Sequence, residues 1–259
     1  MHDIKTRIVI MGCGGSGGVP YAGNVWGKCD PLNPKNMRTR PSVFIERNQT
    51  RIVIDTGPDF RTQINKTGLT EPLDAALYTH AHVDHTLGLD DLRSFWYMMG
   101  KQPVTVYADI ATMEAIKKRF DYAFESLNPN YPATVIGEIL PKKLTIGDLD
   151  IQSFDQIHGQ MTTKGFRVGD FAYSTDLNDL PEEAFKILKG IKVWVVGSHS
   201  DEHGTYNHVG FNTIKKWVDR IEPEITYLTH LNAWADYDEL SRLLPQHIRP
   251  AYDGLEILL

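Results

Sequence analysis

Within the run Tyr78-Thr79-His80-Ala81-His82-Val83-Asp84-His85, three imidazoles and a carboxylate fall inside six residues. Nitrogen and carboxylate-oxygen donors at that density suit zinc, or a somewhat harder ion such as manganese or iron. The apolar run Ala75-Ala76-Leu77 stands directly before them. It reads as a strand that throws the four side chains out at its end. The same strand-then-ligand order recurs further along. A strand over Ile151 to Asp155 leads to His158, Phe171 to Ser174 leads to Asp176, and Ile225 to Thr229 leads to His230. A lone histidine after a strand is more often structural than a ligand. Recurrence at four separate places argues for one shared metal centre.

The elements that must position these groups follow from hydrophobic patterning. Arg7 to Met11 predicts a strand, Ser42 to Glu46 and Arg51 to Asp55 a hairpin, and Val104 to Tyr107 and Lys143 to Ile146 further strands. Helices are expected at Pro58 to Lys66, Ala111 to Ala123, Pro181 to Lys189, Val209 to Ile221 and Tyr237 to Leu244. The stretch from 128 to 137 reads as loop. The order is β-rich with interspersed helices in both halves. It points to two sheets packed face to face and covered by helices, as one domain over residues 1–259.

Two segments stay open in role. Gly12-Cys13-Gly14-Gly15-Ser16-Gly17-Gly18 lacks the Gly-Lys-Ser/Thr ending of a nucleotide-triphosphate loop. It serves either as a tight turn under the site or as a phosphate contact. Lys28, Lys35, Arg38 and Arg40 form either a solvated face or an anion-recognising rim.

Composition narrows the function classes. The 259 residues are 41% apolar and 23% charged, as in an ordinary globular protein. A formal net charge of −6 offers no general attraction for nucleic acid or anionic membrane. Only Cys13 and Cys29 are present, which excludes a disulfide framework and fits a reducing compartment. No stretch resembles a secretory signal or spans a bilayer, so the expected address is the cytoplasm.

Taken together, these motifs resemble the metallo-β-lactamase superfamily of hydrolases. The His-x-His-x-Asp-His signature stands as His80, His82, Asp84 and His85, and the later motifs as His158, Asp176 and His230. The resemblance implies an αββα four-layer sandwich. Within the superfamily the chain looks most like the PhnP-type phosphodiesterases, with ribonuclease Z more distant. The features that carry this are Gly-Gly-Val-Pro at 17–20, Pro34-Lys35-Asn36 before Arg38-Thr39-Arg40, and Ala251-Tyr252-Asp253-Gly254-Leu255.

What the resemblance implies is a ligand set and a chemistry. His80, His82 and His158 hold one divalent ion, Asp84, His85 and His230 the other, and Asp176 bridges them. Ions about 3.5–4 Å apart can share a hydroxide whose pKa is lowered to about 7. Asp84 orients that nucleophile. His208, expected at a helix start, donates a proton to the leaving group, with His203 as the rival donor. His203, Arg38 and Arg40 are candidate substrate contacts. A second, structural zinc of the PhnP kind is not expected, because Cys29 lacks companion thiols. The expected substrate is a small phosphate ester, and a homodimer is compatible with the sequence. The alternatives are an RNA-processing nuclease, a thioesterase or lactonase on the same fold, and a non-catalytic binding protein.

Overall fold

The computed structural model describes residues 5–126 and 130–259. β1 (Thr6–Gly12), β2 (Ser42–Arg47) and β3 (Thr50–Ile54) pair antiparallel in succession. β4 (Ala75–Leu77), β5 (Val104–Ala108) and β6 (Val135–Ile139) then add in parallel. Parallel addition needs crossovers on the sheet face. α1 (Phe60–Lys66), the short α2 (Val83–Thr86), α3 (Arg93–Met98), α4 (Ile110–Arg119) and α5 (Asp121–Phe124) lie within those connections. Asp109 caps α4 by accepting from the Thr112 N–H at 2.8 Å.

The second sheet begins with an antiparallel run of β7 (Lys143–Ile146), β8 (Leu149–His158), β9 (Met161–Val168) and β10 (Phe171–Ser174). β11 (Val193–Gly197), β12 (Ile225–Thr229) and β13 (Ile248–Pro250) continue it in parallel. α6 (Glu182–Leu188), α7 (Phe211–Ile221) and α8 (Tyr237–Leu243) supply the connections. β14 (Leu255–Leu258) returns to the first sheet and pairs with β1, giving two seven-stranded sheets among the described residues.

Three buried layers make this an αββα sandwich. Ile8, Ile45, Ile54, Leu77, Phe166 and Tyr173 pack between the sheets. Phe60, Phe95, Val106 and Ile116 fill the space between the first sheet and its helices. Trp194, Phe211, Ile214 and Trp217 do the same for the second. The residues Phe211, Ile214, Trp217, Val218 and Ile221 recur on one face of α7, which explains why that segment is helical. Each fully buried side chain of this kind contributes about 1.5–3 kcal/mol.

Expected and observed elements differ in instructive places. Asn128 and Pro129 lie outside the described residues, and the end of the stretch read as loop is strand β6. His208 does not open a helix. α7 starts at Phe211 with Gly210 at its N-cap, so His208 sits in the loop before it. Among the described residues, no helix is long and apolar enough to cross a membrane.

Candidate metal centre and its cleft

In open sheets with parallel strands, functional groups gather at the carboxyl ends of the strands. Both sheets obey this here, and their ends face one cleft. β4 runs into His80 and His82, with Asp84 and His85 on α2. β8 ends at His158, β10 is followed by Asp176, and β12 by His230. Asp55 (φ 62°), Asp176 (φ 51°) and His230 (φ 58°) all take left-handed backbone just past their strands. That conformation is rare outside glycine and costs of order 1–3 kcal/mol per residue. It turns each side chain back over the strand end.

The seven side chains converge as the spacing suggested. His80, His82, His158 and Asp176 form one group of converging donor atoms, and Asp84, His85 and His230 another. Asp176 lies between them. Its Oδ2 is 3.0 Å from His85 Nε2, and its Oδ1 is 3.2 Å from His230 Nε2 and 3.9 Å from His158 Nε2. Asp84 Oδ2 is 3.3 Å from His85 Nε2 and 3.6 Å from His230 Nε2. All are buried except His82, which is exposed at the cleft.

Outer partners aim the rings. Asp55 Oδ2 lies 2.7 Å from His85 Nδ1, and both residues are fully buried. Asp55 also accepts from the Thr79 N–H and hydroxyl at 2.8 Å each. Thr79 Oγ1 is 3.0 Å from His80 Nδ1, and the Asn207 carbonyl is 2.7 Å from His158 Nδ1. The Thr175 hydroxyl donates to Asp176 Oδ2 at 2.8 Å. Such contacts fix the tautomer so that Nε2 carries the lone pair inward. Gly57 is required nearby, because a β-carbon there would collide with the Asp84 carbonyl.

A divalent cation fits this arrangement. The Nε2 atoms of His80, His85 and His230 are buried without a hydrogen-bond partner. Such orphaned groups are costly unless something else meets them. Here they face two carboxylates, and a cation satisfies both sets at once. The electrostatics agree. Burial pushes Asp176 up, but His230 and His85 outweigh it and hold the carboxyl well below its usual range. Burial likewise opposes ionisation of Asp84, and contacts with His230 and His85 win. Burial pushes His80 well below the usual imidazole range. His85 is raised, because Asp176 and Asp55 overcome its burial.

His208 stands just outside the cage, with Nδ1 4.0 Å from Asp176 Oδ1 and its ring stacked on His230 at 4.8 Å. Burial, then the His230 charge, lowers it to about 4. His203 lies exposed on the outer turn of the same loop.

Both arginines are engaged within the protein. Arg38 is 1% exposed. Its guanidinium donates to the Asn36 side chain at 3.2 Å, the Asn232 carbonyl at 3.4 Å and Cys29 Sγ at 3.7 Å. It braces the 12–40 segment from inside and cannot reach a ligand. Arg40 turns to Asp59 at 3.1 Å. The glycine-rich segment is both turn and wall. Asp253 ties it down by accepting from the N–H groups of Cys13 (3.0 Å) and Thr39 (2.7 Å), while Gly15 and Gly17 line the cleft beside His230.

Asp55, Thr79 and Thr175 were not among the expected site residues. The signal for Asp55 was present, since Asp55-Thr56-Gly57 is a further carboxylate directly past a strand.

Comparison with known proteins agrees with this geometry. Residues 50–231 match the family model of the β-lactamase superfamily domain, well over half of the chain. A solved structure described as a new diphosphatase from the PhnP family superposes with a TM-score of 0.89 at 29% identity, covering 99% of this chain and 98% of that one. An octanoyltransferase of Porphyromonas gingivalis is 33% identical over 98% of this chain but only 51% of its own length. A ribonuclease Z of Methanopyrus kandleri is 27% identical over 50% of this chain and 44% of its own. The chain thus spans about half the length of the curated relatives it matches.

Proposed function

The chain belongs to the β-lactamase superfamily, and from that membership we propose that it is a dinuclear-metal phosphodiesterase acting on a small phosphodiester, such as a cyclic or short nucleotide or a ribosyl phosphate. The observation that carries the reading is the convergence of Asp84, Asp176 and buried, unpartnered imidazole nitrogens, with a further histidine at the edge of the cage. His80, His82 and His158 would hold one ion, Asp84, His85 and His230 the other, with Asp176 between. When bound, two divalent ions of zinc, manganese or iron supply Lewis-acid polarisation of a phosphoryl oxygen and activation of water near neutral pH.

The chain's own groups do the rest. Asp84 accepts from the attacking water and orients it. Asp55 and Thr79 keep His85 and His80 aimed. His208 gives its proton to the departing alkoxide. Burial keeps that imidazole neutral in the resting site, and an anionic phosphodiester beside it raises its proton affinity again. The octanoyltransferase of Porphyromonas gingivalis is about twice as long as the span it shares with this chain, so its name does not assign that reaction to the shared half. A ribonuclease Z-like action on long RNA has less behind it, because the chain is acidic and no lysine or arginine lines the cleft cavity.

Elemental analysis should approach about two metal equivalents, with hydrolysis of members of a phosphodiester panel. His208→Ala should retain both metals and lose about 10²–10⁴-fold in turnover on a substrate with a poor alkoxide leaving group. The loss should shrink on bis(p-nitrophenyl) phosphate, whose leaving group hardly needs a proton. Equal losses on both would sink the acid role. No hydrolysis of any phosphoester by metal-loaded protein would sink the phosphodiesterase.

A further inference from the structure

Beside the cage lies a cavity of about 200 Å³ that the metal chemistry leaves without an occupant. Tyr21, Ser198, His199, Thr205 and Asn232 wall it, and it meets the cage at His208 and His230. Its lining contains hydroxyl, amide, imidazole and phenol groups but no lysine or arginine. Because His208 stands on its wall, the cavity lies on the side where the departing oxygen takes its proton. On the phosphodiesterase reading, its occupant is the leaving group.

Two of the walls are fixed from behind. The Tyr21 main chain pairs with Val25 in both directions, at 2.8 and 3.2 Å. Its ring tilts against Trp234 at 5.8 Å. It also lies so close to Gly17 that a β-carbon there would stand 2.7 Å from it. Tyr21 therefore presents a pre-set aromatic face. His199 donates its main-chain N–H to the Val209 carbonyl at 2.7 Å. Its Nδ1 is 3.0 Å from Asp201 Oδ2. Asp201 is itself pinned, its Oδ1 accepting from the N–H groups of His203 (2.9 Å) and Gly204 (2.7 Å). A carboxylate 3.0 Å from Nδ1 favours the tautomer that carries its proton there, in which Nε2 is an acceptor. An acceptor takes the proton of a hydroxyl. It repels a phosphoryl oxygen, which has none to give near neutral pH.

We propose that Tyr21 and His199 form a leaving-group subsite for a neutral hydroxylated ring of the ribose kind, with Tyr21 stacking on the ring and His199 accepting from a hydroxyl beside the departing oxygen. The assignment rests on the phosphodiesterase reading. It separates a sugar or nucleoside leaving group from a second phosphoryl group.

The test titrates the metal-loaded full chain calorimetrically with adenosine, 2′,3′-dideoxyadenosine and pyrophosphate, and measures KM for 3′,5′-cyclic AMP, whose 2′-hydroxyl stands free beside the 3′ oxygen. Tyr21→Ala should weaken both nucleosides about 10-fold, through lost stacking. His199→Ala should weaken adenosine about 5–10-fold and spare dideoxyadenosine, which lacks the hydroxyls. Asp201→Asn, which removes the tautomer control and leaves the ring, should repeat the His199→Ala result. KM for the cyclic nucleotide should rise by similar factors in all three. Equal weakening of both nucleosides by His199→Ala overturns the proposal. So does a 10-fold loss of pyrophosphate affinity in that variant, which would place a phosphoryl group at His199. Adenosine binding with this pattern but no phosphodiester turnover would fail the function alone. Turnover with nucleoside binding indifferent to the variants would fail the subsite alone.

Discussion

The cage and the 12–40 segment border the same cleft, yet their polar side chains are held in opposite ways. In the cage, the outer nitrogens of His80, His85 and His158 are tied down, and several inner nitrogens are left bare. His85 Nδ1 has Asp55 and His158 Nδ1 has the Asn207 carbonyl, while the Nε2 atoms of His80, His85 and His230 have no hydrogen-bond partner. In the 12–40 segment the terminal polar atoms are bonded within the protein, although the Nε atoms of Arg38 and Arg40 are buried without a partner. Arg38 is spent on Asn36, Asn232 and Cys29, Arg40 on Asp59, and Thr39 on Asp253. Several bare buried nitrogens converging with carboxylates mark a place prepared for a ligand, and side chains whose ends are bonded within the protein mark a support. A charged residue near a site is therefore informative only once its partners are known.

The strongest way to break this distinction is Asp176→Ala. Its carboxylate faces His85, His230 and His158 at once. Removing it should strip metal from both groups and lower kcat/KM by at least about 10³-fold, roughly 4 kcal/mol of transition-state stabilisation. Metal analysis and steady-state kinetics check this together. Two retained equivalents with near-normal turnover would mean that Asp176 is not shared.

Asp55→Asn sharpens the comparison at the next level, since Asp55 touches no substrate. The amide can keep the Thr79 N–H bond but then turns its NH₂ toward His85 Nδ1. That moves the ring proton to Nε2, where a ligand lone pair is needed. A 10–100-fold loss of metal affinity in a folded protein is the expected outcome, read by competition with a chelator. Unchanged affinity would show that Asp55 serves folding alone.

Legibility follows the same division. The ligands could be read because their spacing is local. His80 to His85 fall within six residues, and each later ligand directly follows an apolar strand. The sheets and most helices were legible from apolar periodicity for the same reason. β9 is less so, because Gly165 interrupts it, and a β-carbon there would strike the Phe154 ring. β6, β13 and β14 are short pieces at or near sheet edges, whose pairing is decided by distant strands. Arg38 stands in sequence as either a solvated charge or an anion contact, because nothing near it reveals that Asn232 closes over it. His199 was passed over because its partner Asp201 matters only once the loop folds back on Val209.

The smallest effects test the supporting side directly. Arg40 and Asp59 form a partly exposed pair, with 32% and 23% of their side chains accessible. Arg40→Ala should cost less than about 1 kcal/mol of stability. It should also leave KM for a phosphodiester within about 2-fold, because no substrate phosphate is given up, whereas a lost charged hydrogen bond would cost more. Arg38→Ala separates burial from charge. It removes a fully enclosed side chain and leaves the Asn232 carbonyl and the Asn36 amide short of a donor, so about 2–4 kcal/mol should disappear from unfolding free energy. Denaturant titration reads both variants, and their order is the point. If Arg40→Ala instead raised KM by 10-fold or more at unchanged stability, the guanidinium would be a ligand contact, and the 12–40 segment would belong with the cage as prepared surface.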